Sequence, residues 1–112
     1  MRVAIPLSGG QLSPHFGHCE EFALIDVDPE AKTISKVERQ PAPPHAPGLL
    51  PRWLAERGAT VILAGGMGQR AQMLFEQSGI DVRIGVTEGD PEALAIEYAN
   101  GRLKTGENIC DH

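Results

Sequence analysis

The chain has 112 residues, of which 41% are hydrophobic and 22% are charged, and its formal net charge is −5 at pH 7. These values are typical of one globular domain, and the negative charge argues against nonspecific binding to nucleic acid or to an anionic membrane. No apolar run approaches the roughly 20 residues that a membrane-spanning helix needs. The N-terminus MRVAIPL lacks the features of a signal peptide, so we expect a cytoplasmic protein with two reduced cysteines.

Apolar runs and turn residues predict the secondary structure in chain order. The first half contains predicted strands at 3–7, 22–27 and 33–40, followed by a Pro-rich loop at 41–48. The second half alternates a helix from Leu49 to Gly58, a strand at 60–64, a helix from Met67 to Gly79, a strand at 81–86 and a helix from Asp90 to about Asn100. This order, β-β-β-α-β-α-β-α, indicates an α/β fold.

We therefore expect one mixed five-stranded sheet flanked by helices, with residues 1–103 as a single domain and residues 104–112 as a flexible tail. Ribonuclease-H-like folds have a similar order, but the nucleases among them need several carboxylates around Mg²⁺. The first predicted strand has no acidic residue, and no base is placed beside Ser8 or Ser13 by spacing. The sequence predicts no catalytic residue and no enzyme.

The predicted topology places two loops at one cleft. If the first strand lies beside the strand at 60–64, the topological switch point falls between them, which is the usual position of a binding crevice. The loop at 8–20 follows the first of these strands, and the turn GGMG at 65–68 follows the second. These two segments are then expected to face each other.

The stretch SPHFGHC at 13–19 concentrates candidate metal ligands. His15, His18 and Cys19 offer imidazole and thiolate groups, which suit zinc, copper and iron–sulfur species. Two cysteines cannot supply the four thiolates of an ordinary iron–sulfur cluster from one chain. Residues elsewhere that could complete the site are Cys110 and His112 in the tail and His45 in the Pro-rich loop. The alternative is that Cys19 fills apolar space and the histidines are solvated.

The segment GGMGQRA at 65–71 is a glycine turn that leads into a helix. Free backbone N–H groups and the helix dipole favour an anion at such a position. The candidate contacts are Gly65, Gly66, Gly68 and Arg70. No Lys-Ser/Thr pair follows, so the segment is not a Walker motif. The alternative is that the glycines only allow the strand and the helix to pack closely.

Three stretches resemble the dinitrogenase iron–molybdenum cofactor biosynthesis family, which includes NifX-like proteins and the C-terminal domain of NifB. They are MRVAIPL…SPHFGHCEEFALIDVD, VILAGGMGQRAQMLFEQSGI, and EALAIEYANGRLK with a terminal CDH. The most specific markers are the HFG triplet at 15–17 and the AGG-x-G turn at 64–68. The resemblance implies a ribonuclease-H-like fold without nuclease activity and non-enzymatic binding or carriage of an iron–sulfur-containing metallocluster, with His15 as the family's candidate ligand.

The same resemblance implies an iron–sulfur or iron–molybdenum-type cluster as cargo and cluster donor or acceptor proteins as partners. We expect a monomer or a weak homodimer. Cys19 and the terminal Cys-Asp-His are not needed by the wider family pattern and are candidates for fitting this chain to a different cluster. Two other functions stay open at this point: a regulatory or interaction domain that binds a small anion, and a mononuclear zinc or copper binder.

Overall fold

The structure, a computed structural model, describes residues 1–13, 19–44, 48–86 and 89–103. Its strands and helices are β1 (Arg2–Ser8), β2 (Gln11–Leu12), β3 (Glu21–Asp28), β4 (Thr33–Pro41), α1 (Leu49–Glu56), β5 (Val61–Leu63), α2 (Gln69–Gln77), β6 (Asp81–Arg83) and α3 (Pro91–Ala99). The predicted tail at 104–112 lies outside the described residues, so the domain boundary at 103 stays a prediction.

The strands form one mixed sheet in the order β4-β3-β1-β5-β6. β1 is antiparallel to β3 on one side and parallel to β5 on the other, and β5 is parallel to β6. The α/β class and the predicted neighbours of the first strand are therefore confirmed. The narrower ribonuclease-H-like assignment stays a prediction.

The prediction of five strands is wrong, because β2 is a sixth strand that pairs antiparallel with the end of β1. Ser8 pairs with Gln11, so Gly9 and Gly10 form a two-residue hairpin turn. Their φ angles are 63° and 82°, as a type I′ turn requires, and glycine adopts such angles without steric cost. The predicted loop at 8–20 therefore begins with a hairpin.

The strand predicted at 81–86 is also shorter than expected, because β6 ends at Arg83. Gly85 has a φ of 81°, which is incompatible with a regular strand. The residues after β6 still form hydrogen bonds with the residues directly after β5. Gly85 N–H donates to the Gly65 carbonyl oxygen at 3.0 Å, and Val86 N–H donates to the Ala64 carbonyl oxygen at 3.2 Å.

The core has two apolar layers, one on each face of the sheet. On one face, Val3, Ile5 and Leu7 of β1 belong to a buried cluster that includes Leu94 of α3. On the other face, Ala4 belongs to a cluster that α1 and α2 complete. Because successive side chains of a strand point to opposite faces, β1 is apolar at nearly every position.

The helix ends follow from their sequences. α3 begins as predicted, with Pro91 at its first position and with the Asp90 carboxylate accepting a hydrogen bond from Ala93 N–H at 3.2 Å. α2 begins at Gln69, and its N-cap residue, Gly68, has no side chain to cap the helix. None of the helices within the described ranges is long and apolar enough to cross a membrane.

Arg2 connects three elements at the amino end of β1. Its Nε donates to Asp26 Oδ1 at 2.7 Å and its Nη2 to Asp26 Oδ2 at 3.1 Å, while its Nη1 donates to the Arg57 carbonyl oxygen after α1. The two charged side chains are 28% and 27% exposed. The hydrogen bond and charge of the guanidinium lower the pKa of Asp26, so the carboxylate stabilises the fold most when it is ionised.

Asp26→Asn is expected to lower the free energy of unfolding at pH 7 by about 1–2 kcal/mol, because it removes the charge from a bidentate pair. Since folding lowers the pKa of Asp26, the difference from wild type is present above the ordinary pKa of 3.8 and is lost as the pH falls below it. Urea unfolding at pH 7 and at pH 3 measures this, with Glu76→Gln on the exposed face of α2 as the control. A deficit that persists unchanged at pH 3 would contradict the electrostatic origin.

Candidate functional site

The candidate site lies at the edge of the sheet where β1, β5 and β6 end, which we call the loop edge. β1 ends there at Ser8, β5 at Leu63 and β6 at Arg83. β4 ends at the same edge, since Pro41 pairs with Glu21 at the start of β3. All three helices follow strands that end here, so their N-termini lie on this side of the molecule, where the helix dipoles contribute positive potential.

The β1–β2 hairpin directs the chain into the candidate ligand loop. β3 pairs with one edge of β1 as far as Leu7. The other edge of β1 pairs with β5 at Val3 and Ala4 and with β2 at its last two residues. Ser13 continues this pairing, with its N–H donating to the Pro6 carbonyl oxygen at 2.8 Å. The chain returns on the β3 side, where Glu20 N–H donates to the Leu7 carbonyl oxygen at 2.8 Å. Both ends of the loop are thus fixed at the end of β1.

The register of β1 with β5 places the start of this loop beside the glycine turn. Ala4 pairs with Ile62, and two further residues along each strand bring Pro6 level with Ala64. Ser13, which is hydrogen-bonded to Pro6 and buried, therefore lies just beyond the end of β5, where the turn at 65–68 begins. A third segment joins them, because Leu12 N–H donates to the Gly89 carbonyl oxygen at 3.3 Å.

Cys19 is the candidate ligand that the structure describes. Its side chain is half-buried and packs against the apolar cluster that contains Ala64 and Met67, and it forms no disulfide with any residue that the structure describes. Burial raises the pKa of the Cys19 thiol to about 11, and a backbone hydrogen bond opposes this only in part. The thiol is therefore neutral near pH 7 in the metal-free protein, and a metal that binds it must displace a proton.

The glycine turn has a buried and an exposed part. Gly65 and Gly66 are buried, whereas Gly68 and Arg70 are exposed. The first backbone bond of α2 runs from Gln72 N–H to the Gly68 carbonyl oxygen at 3.1 Å, so the N–H groups of residues 69–71 have no partner within the helix. Within the described residues, Arg70 has no carboxylate within 4.0 Å.

The described residues alone do not form a metal site. Among residues 1–13, 19–44, 48–86 and 89–103, no three His, Cys, Asp or Glu side chains are close enough to hold a metal ion. The other candidate ligands, His15, His18, His45, Cys110 and His112, lie outside those ranges. A site with three protein ligands must therefore use at least one residue from the segments that are not described.

Glu20 helps to hold the candidate ligand loop in place, and the sequence did not reveal this role. Its carboxylate accepts a hydrogen bond from Gly9 N–H at 3.0 Å, and its carbonyl oxygen accepts one from Ala42 N–H at 3.0 Å. Together with its own N–H bond to Leu7, these contacts tie the hairpin turn, the loop exit and the end of β4 together. The Gly9-Gly10 dipeptide between two apolar segments was the available signal for this hairpin.

A cavity of about 520 Å³ lies elsewhere, beside the C-terminal end of α3. Met1, Arg83 and Tyr98 contribute to its lining. The chemistry-bearing residues of the loop edge do not line it.

Comparison with known proteins identifies the family. The family model described as dinitrogenase iron–molybdenum cofactor matches residues 1–101, which include the HFG triplet and the glycine turn. The chain belongs to this family. Cys110 and His112 lie beyond the residues that match the family model.

The proteins to which this chain is similar differ in length. Uncharacterized protein MJ0580 of Methanocaldococcus jannaschii is 31% identical over 110 residues, which cover 96% of this chain and 92% of that protein. The FeMo cofactor biosynthesis protein NifB of Chlorobaculum tepidum is 31% identical over 107 residues, which cover 92% of this chain but only 23% of NifB. The crystal structure of PH0822 has a TM-score of 0.88 at 30% identity, and the match covers 100% of both chains.

Cys19 in the metal-free family member is expected to react slowly with iodoacetamide at pH 8. Its pKa is about 11 instead of the ordinary 9.0, so about a hundredfold less thiolate is present than for an ordinary thiol at the same pH. The Cys110→Ser variant leaves Cys19 as the single thiol, and alkylation is followed from pH 7 to pH 11. The same variant in urea is the control, and equal rates in the folded and unfolded chains would contradict the assigned burial.

Proposed function

We propose that this chain binds and carries an iron–sulfur-containing metallocluster of the iron–molybdenum-cofactor type at the loop edge. The observation that carries the proposal is the pair of hydrogen bonds that fix Ser13 and Glu20 at the end of β1. They hold the two described ends of the candidate ligand loop at the end of β1, with Ser13 next to the start of the glycine turn, in a family that is named for this cofactor.

The uncapped N-terminus of α2 supports an anionic cargo. A cluster with sulfides and an organic acid carries negative charge, which backbone N–H groups and a helix dipole stabilise. The contrast with α3 is informative, since Asp90 already occupies the equivalent position there, whereas Gly68 leaves the first N–H groups of α2 accessible. Arg70 in the first turn adds a positive charge that no described carboxylate neutralises.

Two protein ligands are assigned in this proposal. His15 is assigned from the family resemblance and Cys19 from its position where the loop returns to β1. A half-buried thiol fits a soft cluster ligand, because iron takes the place of its proton and neutralises the thiolate, which apolar surroundings disfavour when it carries a bare charge. His18, Cys110 and His112 are further candidate ligands.

The bound metal is proposed to be cargo and not part of the core. The two buried clusters are continuous on both faces of the sheet, and at about 25 cal/mol per Å² such burial is enough to fold a domain of this size. Structural zinc domains instead unfold without their metal. The proposed role is non-enzymatic and cytoplasmic, with cluster donor and acceptor proteins as partners.

A second candidate function is favoured by the same uncapped helix. The N–H groups of residues 69–71 and Arg70 would also receive a small inorganic anion. A regulatory or interaction domain with this ligand would need neither His15 nor Cys19, so the two candidates differ in whether substitution of these residues abolishes binding.

Anaerobic reconstitution with iron and sulfide tests the carrier proposal. The metal-free wild-type protein is expected to be folded by circular dichroism and to become brown, with acid-labile sulfide that accompanies the iron. His15→Ala and Cys19→Ser are each expected to retain less than about half of the iron, because a ligand is lost. Cys110→Ser is made in parallel, because it tests the tail as the alternative source of a thiolate ligand.

Three outcomes of this experiment would contradict the proposal. Full iron retention by both His15→Ala and Cys19→Ser would reject the assigned ligands. Loss confined to Cys110→Ser would move the site to the tail. A colourless protein that holds one zinc or copper ion and no sulfide would favour the mononuclear alternative.

Gly68→Asp is expected to weaken binding of the cluster about three- to tenfold while it stabilises the free protein. The φ and ψ of Gly68, −65° and 156°, are accessible to any residue, and a Cβ there would meet nothing within 4 Å. The new carboxylate would cap the N–H groups of α2 and repel an anion. Iron retention and the melting temperature are compared with those of Gly68→Ala, which adds neither a cap nor a charge. Equal retention by the two variants would exclude α2 from the site.

A further inference from the structure

β4 is a long strand at an edge of the sheet. It spans nine residues, Thr33–Pro41, and pairs with β3 on one side, while no strand within the described residues pairs with its other side. Its side chains are mostly exposed. An edge of this length offers a row of backbone N–H and C=O groups to another strand.

The hydrogen-bond pattern shows which residues of β4 face outward. Val27 and Met1 exchange two backbone hydrogen bonds, at 2.8 and 3.3 Å, so odd-numbered residues of β3 bond to β1 and even-numbered residues bond to β4. Their partners on β4 are even-numbered as well, up to the irregularity beside Asp26. The backbone groups of the odd-numbered residues Val37 and Arg39 therefore point away from the sheet.

We propose that this edge pairs with the same edge of a second copy of the chain, antiparallel and with the two-fold axis at Val37. Val37 is the central residue of β4, so only this register overlaps all nine residues of both strands. It places the N–H and C=O groups of Val37 opposite those of Val37 in the second copy, as a hydrogen-bonded pair. The proposal does not depend on metallocluster binding.

Charge selects the same register. With the axis at Val37, Lys36 of each copy lies directly opposite Glu38 of the other, which gives two favourable cross-strand pairs. Moving the axis to Lys36 or to Glu38 would place like charges directly opposite each other. Axes between residues would pair outward-facing with inward-facing backbone groups.

The exposure of the Val37 side chain is further support for a second copy of the chain at this edge. Val37 is 40% exposed and is one of three exposed large hydrophobic residues in the described part of the chain, with Met1 and Met73. In the proposed dimer, the Val37 side chain packs against the Val37 side chain of the second copy. The register shift beside Ser35 and the missing N–H of Pro41 shorten the ladder, and an isologous pair leaves neither β4 edge free for further growth.

Charge reversal tests the pairing. Lys36→Glu alone places two carboxylates opposite each other, and Glu38→Lys alone places two ammonium groups opposite each other, so each variant repels its own copy. In a 1:1 mixture of the two variants, each substituted side chain faces one of opposite charge. Sedimentation velocity from about 10 µM to about 1 mM should show a weak wild-type dimer, a dissociation constant raised at least about tenfold for each variant alone, and recovery in the mixture.

Two further measurements keep the test decisive. Thermal unfolding shows that the variants are folded, because Lys36 lies near Asp26 and Glu38 near Arg2. Amide hydrogen exchange should slow at Val37 and Arg39 as the wild-type concentration rises. A wild-type protein that is monomeric throughout this range overturns the proposal, as does a dimer that both variants form equally well or that leaves these two amides unprotected.

Discussion

The fold depends on the ability of β1 to form hydrogen bonds along both of its edges, antiparallel on one side and parallel on the other. The antiparallel side holds the β3–β4 meander, and the parallel side holds β5 and β6, which α2 connects, with α3 following β6. Because helices cover both faces of the sheet, nearly every side chain of β1 is buried. The change of direction at β1 also creates the site, since the segments after β1, β5 and β6 leave the sheet at one edge.

The elements with strong apolar patterns could be predicted from the sequence. Their types, their order and the neighbours of β1 followed from apolar runs, glycine stops and the Asp90-Pro91 start of α3. Most apolar residues of the predicted elements are buried, but Leu50, Leu74 and Ile84 are only partly covered. Leu50 and Leu74 lie on helix flanks, and Ile84 follows the short edge strand β6, so periodicity alone did not distinguish them from fully buried positions.

The hairpin that positions the candidate site could not be predicted from periodicity. A strand of two residues has no repeat, and β2 exists only because Leu7 and Ser8 offer a free edge beyond the end of β5. Gly9-Gly10 was its local signal. The sequence identified Cys19 and the glycine turn as chemical groups, but the raised pKa of the thiol and the missing cap on α2 depend on packing and helix limits that only the structure gives.

The partial burial of Cys19 affects how easily its thiol is oxidised. Peroxide and other oxidants attack the thiolate and not the thiol, and oxidation beyond the sulfenic acid is generally irreversible. In the proposed carrier, Cys19 would lack a metal each time the cargo is released. Because apolar surroundings keep the Cys19 thiol protonated, the metal-free protein presents little thiolate to such oxidants, and the proposed ligand would stay in its reduced form between cycles.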